Sequence, residues 1–167
     1  MSAGADEGRV DHWCIFRSRS RPCAVPLQWV AEVIRDLRLT RLPLGPAPLV
    51  GLCALRRDVI PVFDLAEGGA AEDRDRPEGP TSVLVLRSGS GVWGYLVDEQ
   101  GIELAGAPPS AVSAGTLTWE GTSYAIVDPP ASWHALRSQV LSAYRARESG
   151  RKRAGHPPRS AALEPAR

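Results

Sequence analysis

The sequence predicts a mostly β protein: two small, similar barrels in succession, a short helix within the first and a longer helix after the second. Three observations lead there. Short runs rich in β-branched and aromatic residues alternate with short polar turns, as half-buried strands require. The second half of the chain echoes the first, FRSRSRPCAVPL (16–27) against LRSGSGVWGYLV (86–97), which aligns Arg17 with Arg87, Ser18 with Ser88 and Ser20 with Ser90. Between the halves, AEGGAAEDRDRPEGP (66–80) has three Gly, two Pro, seven charges and no apolar residue larger than Ala, the composition of a linker.

The elements follow in order. Residues 1–11 lack periodicity and are expected to form a mobile tail. HWCIFRS (12–18), a polar turn and CAVPL (23–27) make a hairpin. PLQWVAEVIRDL (26–37) places Val30, Val33, Ile34 and Leu37 at helical spacing, which predicts a short helix plugging the first barrel. DVIPVFD (58–64) closes that barrel, set at 12–65. TSVLVLRS (81–88) and VWGYLVD (92–98) form the hairpin that opens the second barrel, 81–128, and TSYAIVD (122–128) ends it on an Asp like the first. Pro129 and Pro130 suit a helix entry, and Trp133, Leu136, Val140, Leu141 and Tyr144 recur on one face, so a helix is expected over 131–148 and packed on the barrels. Residues 149–167 form a basic tail, leaving 12–148 as the folded part.

Composition narrows the chemistry. With 20 Lys and Arg against 19 Asp and Glu the net charge is +1, so no global field gathers nucleic acid or an anionic membrane. Residues 1–13 carry no apolar run after a basic one, and apolar runs elsewhere span only a few residues, so neither secretion nor membrane insertion is expected. Cys14, Cys23 and Cys53 share no metal-ligand spacing and sit among apolar neighbours, as buried thiols of a reducing cytoplasm do. Gly89, Gly91 and Gly94 match a dinucleotide-binding pattern, but a strand pattern follows where the phosphate-binding helix must begin. His12, His134 and His156 are scattered, and Asp98 and Glu99 are neighbours whose side chains diverge on a strand. No catalytic residue, metal site or cofactor is assigned. Arg145, Arg147, Arg151, Lys152, Arg153 and Arg159 leave open an alternative, a small barrel that holds nucleic acid through a basic tail, although no aromatics alternate with those charges.

The segment GLCALRRDVIPVFDL (51–65) resembles the signature of CheW-like adaptors, of the form G-h-h-N-L-R-G-x-h-h-P-h-h-D-L with h apolar. CAVPLQWVAEVIR (23–35), RLPLGPAPLVG (41–51), VWGYLVDE (92–99) and LTWEGTSYAIVD (117–128) are similar to further parts of that family. The resemblance implies two SH3-like five-stranded barrels with a hydrophobic groove between them. It also implies a non-enzymatic, cytoplasmic scaffold that couples chemoreceptor cytoplasmic tips to the regulatory domain of a CheA-type histidine kinase. By position, Glu32 falls where family members carry an acidic partner-contact residue and Arg56 falls on the signature Arg. The residues themselves favour Arg56 tying the turn's own carbonyls and Asp64 over pairing with a partner carboxylate, and leave Glu32 open between partner contact and a solvated position between Val30 and Val33. Val33, Leu55, Val62 and Val97 are expected to line core or groove; Trp29 and Trp93 are candidate interface anchors. Ala54 and Arg57 replace the signature Asn and Gly, the latter a residue that adopts positive φ freely, and the span from Asp98 to Gly115 is short for the family.

Overall fold

Four two-residue turns set the strand plan of the described residues, 11–42, 48–65 and 79–154, in a computed structural model. They join β1 (Asp11–Ser18) to β2 (Arg21–Pro26), β4 (Leu49–Leu55) to β5 (Asp58–Phe63), β6 (Thr81–Ser88) to β7 (Gly91–Val97), and β10 (Thr116–Trp119) to β11 (Thr122–Ile126). Arg19 and Ser20 both take positive φ, 49° and 64°, as do Glu120 and Gly121, 45° and 76°. That backbone matches the right-handed twist of the strands it connects. The echo between 16–27 and 86–97 is therefore structural: Ser18 pairs with Arg21 as Ser88 pairs with Gly91 across equivalent hairpin ends. Strands β3 (Val30–Leu37), β8 (Glu103–Ala107) and β9 (Val112–Ser113) and one helix, α1 (Pro129–Ala154), complete the described elements, apart from 3₁₀ turns at Leu27–Trp29 and Pro109–Ala111.

The expected helix over 26–37 is corrected to that 3₁₀ turn followed by strand β3. Its apolar spacing imitates a helix because β3 pairs with β6 through two register shifts, between Val30 and Glu32 and between Ile34 and Leu37, the second containing Asp36 at φ 54°. A bulge inserts a residue and turns the two-residue alternation of a strand into a local step of three. Val30 and Val33 consequently serve one core, Ile34 and Leu37 another.

The strands form a six-stranded sheet, β8-β1-β2-β11-β10-β9, and a five-stranded sheet, β3-β6-β7-β5-β4. This corrects the division into sequential barrels, 12–65 and 81–128. Hairpin β1–β2 belongs with β8–β11, and hairpin β6–β7 with β3–β5, so each half contributes its hairpin to the sheet built from the other half. Parallel pairing makes the exchange: β11 joins β2 with Ala125 opposite Cys23, and β5 joins β7 with Val62 opposite Gly94. In the six-stranded sheet the edge strand β9 is reduced to two residues. The expected tail 1–11 is corrected at Asp11, which opens β1, while residues 1–10, most of the linker (66–78) and residues 155–167 lie outside the described residues.

Three apolar clusters result. Cys53, Ile60, Val62, Val83 and Val85 fill the five-stranded sheet, and Trp13, Ile15, Ala24, Ala105, Ala107 and Leu117 fill the six-stranded one. The third draws on both: Cys14, Phe16, Cys23 and Val25 from the six-stranded sheet meet Phe63, Leu84, Leu86, Trp93, Tyr95 and Val97 from the five-stranded one. Strand β1 thus buries both faces, one inside its own sheet and one between the sheets. Between the two sheets, where the resemblance implies a hydrophobic groove, lies this buried apolar core.

Helix α1 covers this shared core. Asp128 caps it, its Oδ1 accepting from the Ala131 N–H at 3.0 Å, and Pro129 occupies the first turn, where no amide donor is needed. Trp133, Leu136 and Val140 pack inward; beyond them Leu141 and Tyr144 are exposed. The helix runs past the expected 148 to Ala154.

The five-stranded sheet closes through a bridge between Thr40 and Leu52, with 2.8 Å backbone hydrogen bonds in both directions. Gly51 permits that approach, since a Cβ there would lie 2.9 Å from the Thr40 carbonyl oxygen. Gly51→Ala should therefore cost about 1–3 kcal/mol in urea denaturation through overpacking, whereas Gly79→Ala, with nothing within 4 Å of its would-be Cβ, should leave stability unchanged.

Candidate functional site

The β4–β5 hairpin has one face inside its barrel and one outside. Cys53, Ile60 and Val62 point inward. By the two-residue alternation, Leu52 opposite Pro61 and Ala54 opposite Val59 point outward. A solvated outer face is ordinarily polar. Here it is apolar, and Val59 is 67% exposed. The outward row 59, 61, 63 ends on Phe63, which is buried in the shared core and meets Trp133 edge-on, ring centroids 6.3 Å apart. An apolar row therefore runs along the hairpin from Phe63, which touches Trp133 of α1, towards the tip.

At the tip, Arg56 adopts φ 56° and extends a guanidinium that is 78% exposed, with Nη2 3.5 Å from Oε1 of Glu32, itself 34% exposed. The two residues nominated by position thus meet, across the opening between β3 and the β4–β5 turn. Pairing at this distance in a largely solvated setting contributes little stability, so both charges stay available to a partner. Arg56 does not tie Asp64. That carboxylate is 2.6 Å from Nε of Arg19 in the β1–β2 turn. The positive φ of the turn falls on Arg56 itself, so losing the signature glycine at 57 leaves a tight two-residue connection between Leu55 and Asp58.

The other predicted residues separate by burial. Trp29 and Val33 are half-buried against the shared core, and Leu55 is half-buried against the five-stranded interior. Val62, 0% exposed, and Val97, 4%, are closed within cores; direct contact with a partner is sterically denied to them. Trp93 is likewise fully buried and stacks on Trp133 at 5.0 Å and 16°, so it is a packing partner rather than an interface anchor. Sequence reasoning missed the Val59 strip and the locking role of Trp133. The signal for Val59 was present in DVIPVF, where the positions alternating with Ile60 and Val62 are themselves apolar.

Trp133 holds α1 in place. Its Nε1 donates to the Ser90 carbonyl at 3.2 Å, and it lies against Gly91, where a Cβ would come within 2.8 Å of the indole. One residue earlier, Ser132 Oγ accepts from the Tyr95 hydroxyl at 2.7 Å and donates to the Pro129 carbonyl at 3.1 Å. Gly89–Gly94, the formal dinucleotide pattern, is a hairpin turn leading into β7. His12 and His134 are exposed on different elements, and His156 lies outside the described residues. Among the described residues no group of three or more His, Cys, Asp or Glu gathers, and no helix is long and apolar enough to cross a membrane. Arg145 and Arg147 are exposed on α1; the basic run continues to Arg159, outside the described residues.

A family model, the CheW-like domain, matches residues 12–105. The chain belongs to the CheW-like family. CheW-like proteins are scaffold adaptors of chemotaxis signal transduction rather than enzymes, and as a family they couple receptors to CheA kinases. Among solved structures the fold matches the crystal structure of scaffolding protein TtCheW from Thermoanaerobacter tengcongensis at 18% identity and TM-score 0.56, covering 72% of this chain and 90% of that one. No curated protein matches. The CheW-like signature now has physical roles: Gly51 permits barrel closure, Arg56 makes the tip, and Asp64 receives Arg19 from the other sheet.

Two measurements check this packing. Trp133→Ala should remove the near-ultraviolet circular dichroism of the stacked indoles and destabilise the fold by about 3 kcal/mol, the low end for a large aromatic. Burial pushes the Cys14 thiol up to about 11 and raises those of Cys23 and Cys53. A thiol whose pKa is higher folded than unfolded favours the fold below the unfolded value of 9.0 and loses that contribution as pH rises through the folded one. Disulfide reagents at pH 8 should thus label the native protein slowly and the urea-unfolded chain fast.

Proposed function

We propose that this CheW-like chain holds the cytoplasmic tip of a chemoreceptor-like protein and the regulatory domain of a CheA-type histidine kinase at fixed mutual geometry, in the cytoplasm. Receptor states with different contact free energies would then shift the kinase between its off and on states. No bond is made or broken by the adaptor.

The observation that carries this reading is an apolar strip, exposed at Ala54 and Val59 and half-buried at Leu52 and Pro61, that ends beside a solvent-accessible ion pair. Leu52, Ala54, Val59 and Pro61 offer an apolar track, and Glu32 and Arg56 offer one charge of each sign at its end. That combination suits a helical hairpin presenting apolar residues flanked by charges. Trp29 and Val33 are half-buried against the shared core and Leu55 against the five-stranded interior, and Val62 and Val97 act from within by holding the strands β5 and β7 together. Leu104 on β8, 72% exposed, supplies a separate apolar point on the six-stranded sheet for the second partner.

Exchanging the charges is the sharpest test. In the double variant Glu32→Arg, Arg56→Glu the two side chains can still pair with each other, so the fold should persist while the charges shown to a partner are reversed. We expect binding of the receptor tip to fall by about tenfold or more in calorimetric titration, with an unchanged melting temperature. Wild-type affinity in the double variant would remove the assignment. Val59→Glu should weaken the same contact by a similar factor with stability altered by no more than about 0.5 kcal/mol, as expected of an exposed position.

A further inference from the structure

We propose that Arg19 is a positioning residue: it fixes the rotation of the six-stranded barrel against the five-stranded one, and with it the relative placement of two partners held on different barrels. The second half of this statement rests on the scaffold reading; the first does not.

Two kinds of contact join the barrels. The shared apolar core resists separation, but apolar burial is non-directional and tolerates small sliding and rotation. The β1–β2 turn makes a directional contact. Strands β5 and β7 are parallel neighbours, so their ends present Asp64 and Asp98 on the same side of the five-stranded sheet. The turn of the other sheet inserts its donors there. The backbone N–H groups of Arg19 and Ser20 donate to the two oxygens of Asp98, at 3.0 and 2.8 Å. Nε of Arg19 donates to Oδ2 of Asp64 at 2.6 Å. Ser18 Oγ donates to the Leu96 carbonyl at 3.0 Å, and the Asp98 N–H donates to the Arg17 carbonyl at 2.9 Å.

Five donors directed at fixed acceptors determine an angle, which an apolar surface does not. Asp64 is 6% exposed, so its charge depends on a positioned cation. Arg19 and Ser20 keep the costly left-handed backbone in which both amides face one carboxylate. Arg19 contacts both acids, through its backbone to Asp98 and its side chain to Asp64.

Spin labels at Val59→Cys and Leu104→Cys, exposed points on the two barrels, report the inter-barrel distance; the native thiols are buried and resist labelling. Arg19→Gln should broaden the distance distribution about twofold, as loss of a hinge-fixing contact does. Should that variant fail to fold, Asp98→Asn, which retains one acceptor oxygen, should give an intermediate broadening. With the receptor tip and the CheA-type regulatory domain of the same organism, Arg19→Gln should bind each alone as the wild type does. Receptor control of kinase autophosphorylation should then drop about tenfold, a loss of coupling and not of affinity. An unchanged distance distribution overturns the proposal, and so does a broadened one with intact kinase control. Failure of the wild type to bind either partner would instead remove the scaffold reading, and the distances would still decide whether Arg19 sets the angle.

Discussion

Everything in this fold depends on the outer edge of each leading hairpin being claimed by a strand from the other half of the chain. Strand β2 has no ladder partner beyond β1 until β11 arrives in parallel, and β7 none beyond β6 except β5. An unpaired strand edge buried in a core leaves backbone donors and acceptors without partners, so neither barrel is complete from its own half. The exchange makes the two barrels one cooperative body. It also explains why β1 and β2 carry apolar side chains on both faces, one for the barrel they join and one for the core between barrels.

A body assembled in this way suits an adaptor. A scaffold that couples two partners transmits the difference in contact energy only if its two binding surfaces keep their relation. The shared core with Trp93, Tyr95 and Phe16 at its centre supplies cohesion, and the polar insertion of the β1–β2 turn between Asp64 and Asp98 supplies direction. Helix α1 completes the arrangement, its Asp128 cap and the Trp133 stack holding the first turns against the core. The apolar outer row of the β4–β5 hairpin ends on Phe63, which meets Trp133 of α1 edge-on in the shared core.

Several features were legible in the residues alone. Short period-two runs placed most strands, the repeated Arg-Ser-x-Ser turn placed the two equivalent hairpins, and the Asp-Pro-Pro sequence placed the start of α1. The signature around Arg56 was legible as a turn, and Glu32 and Arg56 were named together, although their meeting at 3.5 Å was not foreseen. Strand β3 was misread because two bulges turn its alternation into a helical spacing, a distortion that pairing with β6 imposes and local sequence does not encode. Trp93 was misplaced, and Val62 and Val97 were left undivided between core and groove, because an apolar strand residue carries no mark of which face will be covered.

By itself the sequence determined the fold class, the two leading hairpins, the terminal helix and the family, because each rests on periodicity, turn chemistry or a contiguous signature within a few residues. Only the tertiary structure decided which barrel each hairpin completes, which acid Arg19 and Arg56 face, and which apolar strip stays open. Those are set by pairings between residues far apart in the chain, such as Ala125 with Cys23, and local sequence carries no information about partners so distant.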